Sequence, residues 1–346
     1  MSKFDKHKEY KLKLPKKYYE KKGLSGIQNL GNTCYVNSII QSLSNTLKLT
    51  DYLLTNEYKK DDPREMNKKN ANYNITLSYI FVLKKIWESN TVIKPLSFVN
   101  KLRNIKQVTN EQQDAHEFLL FMLNNLNENL AYPININFSD KLTNIQKDIV
   151  SKFYNMNKDD YSIIKENFNI MFLISIKCNK CENEDLMYEQ SYDISLSINK
   201  SCLLNELLDE YFKEEYIDDK KCDKCNYKGC IKKIYLWNLP KYIIIHLQKF
   251  DNNGKKINKH IDYLNSKINY LKYFSPNREA KHNYFYDLYS VICHQGNSNN
   301  GHYYNISKNL NNKIYKYDDT DVCEQETFNT NDAYILFLER KFIIRK

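Results

Sequence analysis

Glycine and proline are scarce in these 346 residues, 7 and 6 respectively. That excludes a collagen-like or low-complexity chain. No stretch approaches the ~20 apolar residues of a membrane span, so no membrane partner is expected. The opening segment, Ser2 to Lys22, is Lys-rich and has no apolar run, and it reads as neither secretory signal nor anchor. No internal repeat is evident. What is present is a 42% hydrophobic complement, enough for a substantial core, and 29 tyrosines. The formal charge is +10, and much of the excess sits in residues 1–23. The expectation there is a solvated, disordered tail; a nuclear-localisation or polyanion-binding arm is the alternative. The length suits one large domain or two ordinary ones.

The nine cysteines do not form a disulfide pattern. With no signal peptide, metal binding or catalysis explains them better, in a reducing compartment, cytoplasmic or nuclear. Four fall in two Cys-x-x-Cys pairs, Cys178/Cys181 and Cys222/Cys225, each in a turn between strand-like runs. Two such knuckles can close one tetrahedral Zn²⁺. A closed four-sulfur shell leaves no open position, so that zinc is expected to be structural, and catalysis to need no cofactor. Cys230 follows closely and is a substitute ligand.

Cys34 stands apart. Gly23 to Thr33 is a turn-rich approach, and Val36, Ile39/Ile40, Leu43 and Leu47 then recur at helical spacing. With Asn32 or Thr33 as cap, Cys34 lies in the first turn, where the helix dipole favours thiolate. Asn29 is a candidate donor to an oxyanion. The plain alternative is a buried structural cysteine. Further on, helices are expected over Ile75–Trp87, Leu96–Leu102 and, most strongly, Glu111–Leu130, capped by Thr109 or Asn110. Asp114 and Glu117 share a face of that last helix. From Met171 the pattern turns to strand, then a short helix, Leu203–Phe212, then strand again. Helices first and strands second indicate an α+β architecture with segregated layers.

In the last third, His302–Ser307 and Lys313–Asp318 flank an Asn-rich turn. Folded as a hairpin centred on Leu310, Ser307 faces Lys313, Tyr303 faces Tyr317 and His302 faces Asp318. Opposed residues have Cβ atoms about 4.5–5.5 Å apart. A carboxylate beside imidazole fixes a tautomer and supports a general base. Asp319 is the spare. Cys34, His302 and Asp318 together make nucleophile, base and orienter.

These residues sit in motifs that resemble the ubiquitin-specific proteases, a papain-like class of deubiquitinating enzymes. The Cys box is Gly26 to Ser38, and the Gln-Gln-Asp box is Gln112 to Leu119. Both Cys-x-x-Cys pairs, the Leu239–Phe250 strand and the His box, His294-Gln295-Gly296 through Gly301-His302-Tyr303, follow in order. Tyr317-Asp318-Asp319 and Ala333 to Phe337 complete the likeness, which covers Leu24 to Arg340. Two positions depart from it: the Gly of a usual Phe-x-Gly is missing from Asn167–Ile176, and a usual Phe-Pro is missing near Ile261–Leu264.

The resemblance implies a single catalytic domain over residues 24–346. A helical thumb would span about 24–165, zinc-tipped antiparallel fingers about 166–235, and an antiparallel palm about 236–346. It implies a thiol-dependent hydrolase that cuts after the C-terminal Gly of ubiquitin through a Cys thioester. Ubiquitin and ubiquitinated proteins are the implied partners, with an activating protein besides. By position, Asn29 would hold the oxyanion. Asp114 and Glu117 would meet basic residues of the ubiquitin tail, with His294, Gly301 and Tyr303 beside that tail and a gate over it at His294–Asn300. Two other readings stand beside this one. An enzyme for a ubiquitin-like modifier shares the Cys box. A zinc-ribbon module for nucleic acid is weakened because Lys is mixed with acids along the chain, leaving only weak contacts of the basic segment.

Overall fold

The computed structural model describes residues 11–61, 71–135, 143–251, 253–263, 268–276, 278, 284–297, 300–328 and 331–341. Helices occupy the first half: α1 Lys16–Tyr19, α2 Cys34–Ser44, α3 Leu47–Leu54, α4 Tyr58–Asp61, α5 Ala71–Glu88, α6 Leu96–Asn104, α7 Ala115–Leu130, α8 Asn144–Asn157 and α9 Ile163–Phe168. All eleven residues of α2 are buried, so its polar side chains must find partners inside. Gln41 Nε2 donates to Ser25 O (2.8 Å), Trp87 Nε1 donates to Ser44 Oγ (2.9 Å), and Asn305 Nδ2 donates to Ser42 Oγ (2.8 Å). α2 is therefore a central strut tied to both halves of the molecule. Among the described residues no helix is long and apolar enough to cross a membrane.

Two sheets follow. The smaller has strand order β2-β1-β6-β5, from β1 Ile170–Cys178, β2 Glu184–Ser191, β5 Glu215–Lys221 and β6 Lys228–Asn238. The larger has order β12-β11-β10-β9-β13-β7-β3. It contains β3 Asp193–Ser197, β7 Tyr242–Gln248, β9 Tyr286–Gly296, β10 Gly301–Lys308, β11 Ile314–Asp318, β12 Asp321–Gln325 and β13 Ala333–Arg340. β4 Cys202–Leu203 pairs with β8 Ile261–Asp262, and α10 Leu204–Tyr211 packs beside β3. The α+β plan of thumb, fingers and palm is thus the observed one.

Four expectations need correction. The palm is not wholly antiparallel: β3 leaves the finger segment and pairs parallel with β7. β7 is buried at six of its seven residues and needs a neighbour on each edge; β3, with Ile194 and Leu196 buried in alternation, supplies one. The segment before residue 24 is not a solvated tail where it is described. Tyr19 is fully buried against Trp87, rings 5.2 Å apart. Its hydroxyl, with the backbone N–H of Lys13 (2.8 Å) and Leu14 (3.0 Å), serves the buried carboxylate of Asp51. Residues 1–10 lie outside the described part. Helix α7 starts at Ala115, not Glu111, because Asp114 is extended and takes the His116 N–H at 2.6 Å as the cap.

Finally, the β10–β11 hairpin pairs Ser307 with Tyr315 and Asn305 with Tyr317. Its centre is one residue beyond Leu310, which slides the register by two. His302 and Asp318 are diagonal, not opposed, yet remain on one face because side chains alternate with period two.

Candidate active site

Cys34 is the first residue of α2, where backbone N–H groups lack helical partners. Thr33 is the cap, but its hydroxyl turns back to accept from Leu30 N at 2.8 Å. The approach loop is held by Asn29 instead. Its Oδ1 accepts from Gly31 N (3.1 Å), Thr33 N (3.0 Å) and Thr33 Oγ (3.2 Å). That leaves the Asn29 amide N–H pair pointing away from the loop.

One of those protons goes to Asp319 Oδ2 at 3.0 Å, and Asn37 Nδ2 donates to Asp319 Oδ1 at 2.8 Å. Asp319 sits in the turn after β11 with φ +50°, and its carbonyl accepts from Ile27 N at 2.6 Å. Gly26 lets this turn approach: a Cβ there would lie 2.1 Å from Thr320 O. Asp319 therefore clasps the Cys loop to the palm rather than standing in for Asp318.

His302, on β10, places Nε2 2.6 Å from Asp318 Oδ1 and lies beside the Cys34 side chain. Cys34, and then Asp318, raise its pKa from 6.5 to about 9 against the opposing effect of burial. Burial would raise Asp318, but Lys316 Nζ, 2.7 Å from Oδ2, and His302 outweigh it and hold the carboxyl low. The three residues expected to meet do meet, although Cys34 is only 3% exposed.

The Gln-Gln-Asp box ties three elements to this centre. Gln112 docks its amide on both backbone groups of Gly301, accepting the N–H at 2.7 Å and donating to the C=O. Gln113 Oε1 accepts from the hydroxyl of Tyr35, the residue after Cys34, at 2.8 Å. Asp114 caps α7 and accepts from Tyr334 Oη on β13 at 2.5 Å. So Asp114 is engaged inside the protein, whereas Glu117 is exposed. Gly301 allows His294 to lie over its backbone, since a Cβ would meet His294 Nε2 at 2.1 Å. His294 (3% exposed) and Tyr303 (5%) are packed together, rings 4.5 Å apart. They form a floor and present no free surface. Burial pushes the His294 pKa down to about 4 and keeps it neutral. In the expected gate, residues 298 and 299 lie outside the described part.

Sequence reasoning missed Asn37 and Lys316. Asn37 had a signal, an amide three residues after Cys34 on an otherwise buried helix. Lys316 had none. A second polar cluster, His116, Asp193 and His246, is linked by hydrogen bonds that leave the buried His246 Nε2 without a partner. Asp193 Oδ2 lies 3.0 Å from His116 Nε2 and accepts from Ser195 Oγ (2.8 Å), which lies 3.0 Å from His246 Nδ1.

At the far end of the fingers, Cys178, Cys181, Cys222 and Cys225 converge, with ligand atoms all within 4.8 Å. The two knuckles repeat one geometry. Glu182 N donates to Cys178 O (3.0 Å) and Asn226 N to Cys222 O (2.9 Å). Glu182 and Asn226 both take left-handed φ, +57° and +58°. Sulfur separations of 3.7 Å for Cys178–Cys225 and for Cys181–Cys222 match the edge of about 3.8 Å for a tetrahedral Zn–S₄ shell. The donor set thus fits a metal ion. Cys230 is not part of it; its sulfur turns to Lys220 O at 3.5 Å.

Comparison with known proteins agrees with this geometry. The family described as "Ubiquitin carboxyl-terminal hydrolase" matches residues 25–338. "Ubiquitin carboxyl-terminal hydrolase Usp2" of Drosophila melanogaster is 28% identical over 336 residues, covering 92% of this chain and 35% of its own length. "Ubiquitin carboxyl-terminal hydrolase 2" of Bos taurus is 30% identical over 337 residues, covering 92% and 55%. The chain thus spans between about a third and just over half of those relatives. Among solved structures, the SAGA Ubp8/Sgf11/Sus1/Sgf73 DUB module bound to ubiquitin aldehyde aligns with TM-score 0.74 at 23% identity, over 94% of this chain and 71% of that one. The same module bound to monoubiquitin gives 0.74 at 22%, with the same coverage. The reach of the family match, together with the order of the site residues, makes this chain a member of the ubiquitin carboxyl-terminal hydrolase family.

Proposed function

We propose that this chain hydrolyses the peptide or isopeptide bond after the C-terminal Gly of ubiquitin, releasing ubiquitin from conjugated proteins. The observation that carries the reading is the convergence of Cys34, His302 and Asp318, with His302 Nε2 2.6 Å from Asp318 Oδ1 and Cys34 the strongest influence on the imidazole. His302 holds the proton and Cys34 acts as thiolate. The sulfur attacks the glycine carbonyl carbon. The second proton of Asn29 Nδ2 and the unpartnered N–H groups of the first turn of α2 receive the oxyanion. The imidazolium gives its proton to the leaving amine, and a thioester remains. Water then adds to the thioester carbonyl and its proton passes to His302. The thiolate departs, which restores the ion pair. Asp318 holds the ring orientation throughout.

Glu117 supplies the direct contact to basic residues near the end of ubiquitin. Asp114 adds its field, because its oxygens already serve His116 and Tyr334. An activating partner protein is proposed to act on substrate delivery. A reducing compartment, cytoplasm or nucleus, suits nine free thiols.

Side-by-side labelling with vinyl-sulfone derivatives of ubiquitin and of ubiquitin-like modifiers tests the reading. A Cys34 adduct with ubiquitin is expected. Labelling by a ubiquitin-like modifier alone would reassign the substrate, and no adduct with any would sink the hydrolase reading.

The pH profile is a second check. The imidazolium is the species that protonates the leaving amine, so kcat/KM falls as pH rises through about 9, the raised His302 value. Asp318→Asn removes a group that raises it, so the alkaline limb moves to lower pH. A limb unmoved by that change would separate Asp318 from the base.

The four finger cysteines are proposed to hold one structural Zn²⁺, which clamps β1–β2 to β5–β6. One zinc per chain is expected by elemental analysis. Cys222→Ser is expected to lose the metal and lower Tm by several degrees, a few kcal/mol spread over a domain of this size. Zinc-free protein with an unchanged Tm would remove the clamp from the account.

A further inference from the structure

Asp318 has two carboxylate oxygens, and the chemistry above uses one. Oδ1 meets His302; Oδ2 is taken by Lys316 Nζ at 2.7 Å. Lys316 lies two residues before Asp318 on β11, so both side chains stand on the same face. Its ammonium is steered from the other side by Tyr304 of β10, whose ring centroid is 4.4 Å away. Tyr304 is itself 3% exposed, and its hydroxyl donates to Asp332 at 3.1 Å. A lysine–carboxylate pair on an open surface contributes little. This one is packed on a buried ring, and the other partner of its carboxylate is the imidazole of the reacting pair.

We propose that Lys316 is a positioning residue of this site. Acting through Asp318, it fixes the carboxylate plane so that Oδ1 stays on His302 Nε2, and it tempers the negative charge that His302 feels. The proposal rests on the hydrolase reading. Its electrostatic half has a sign. With Lys316 gone, Asp318 serves one cation where it served two, and His302 keeps its proton to higher pH. The groups that face the pair are Cys34 from α2, His294 and Cys293 from β9, Tyr304 from β10 with Asp332 behind its hydroxyl, Asp319 from the turn after β11, and from β12 Asp321 and Cys323, which pair with Asp318 and Lys316. His294 is neutral, and burial pushes the Cys293 thiol up to about 12, so neither changes charge in the working range. The Asp319 carboxylate is occupied by Asn29 and Asn37.

The test compares Lys316→Met, Lys316→Arg, Asp318→Asn and the Met/Asn double variant in the full chain. One readout is turnover of a fluorogenic ubiquitin C-terminal amide across pH. The other is alkylation of Cys34 by iodoacetamide across pH, followed by peptide mass spectrometry, which needs no ubiquitin. Lys316→Met is expected to lower kcat about tenfold with KM unchanged. The falling alkaline limb of turnover moves to higher pH, and so does the alkaline inflection of the alkylation rate, where the sulfur loses its imidazolium partner; Lys316→Arg restores rate, limb and inflection. On the Asp318→Asn background the Met change adds less than about twofold. A limb that stays or moves down, an Arg variant as impaired as Met, or a full additional loss on Asp318→Asn would overturn the proposal. If the wild type leaves the ubiquitin amide intact, the hydrolase reading fails, while the inflection of the alkylation profile still decides the role of Lys316.

Discussion

Cys34→Ala is expected to lower cleavage of a ubiquitin C-terminal amide by at least ~10⁴-fold, with ubiquitin affinity nearly unchanged. The thioester route is closed without sulfur, and what remains is catalysis by the oxyanion donors and by His302 acting on water. Affinity survives because Ala fills a position that is already 97% buried and adds nothing a tail would strike. Single-turnover cleavage paired with calorimetric binding measures both halves. The control is Cys323→Ser, which removes the exposed thiol of this chain and is expected to leave turnover alone. Residual activity in Cys34→Ala near the wild-type level would move the nucleophile elsewhere.

The second large effect belongs to Asn29. Asn29→Ala is expected to cost ~10²–10³ in kcat with little change in KM, the usual loss for one oxyanion donor. The side chain also braces its own loop through three accepted hydrogen bonds, so a thermal melt must accompany the rate. Asp319→Asn is the companion. Asn tolerates the left-handed backbone of that turn, so the turn is kept. An amide cannot accept from Asn29 and Asn37 at both of its heavy atoms, so one of the two contacts breaks. If Asp319 acts by aiming Asn29, Asp319→Asn approaches the Asn29→Ala rate, and the double variant is scarcely slower than either. Additive losses would assign Asp319 a separate role at His302.

The reacting residues were legible because each rests on a local pattern: a thiol at a capped helix start, and a His and an Asp on strands joined by an Asn-rich turn. Even the misplaced hairpin centre did no harm, since an error of one residue at the turn becomes two in register and preserves the face. The same tolerance does not extend to turns of unusual backbone. Asp319 reads as a spare carboxylate in sequence, and its clasp depends on a φ of +50° that no pattern announces. Gln112 and Gln113 look like flanks of an acidic helix face. They are anchors because α7 begins only after Asp114 has capped it. β5, Glu215–Lys221, was not readable as strand: six of its seven residues are exposed. Pairing with β6 and the knuckle at its end hold it in place. The short segment carrying Tyr19 was masked by the lysines around it. Charge described its composition, while Tyr19 decided where it went.

That segment also moves the practical edge of the domain. A recombinant version trimmed to the boundaries of the family match would start at Ser25 and discard Lys13, Leu14 and Tyr19. Asp51 would then lose three of its donors in the interior. The smallest faithful expression unit therefore begins upstream of Lys13. Activity lost on trimming to residue 25 would record a damaged interior wall, not a missing docking arm.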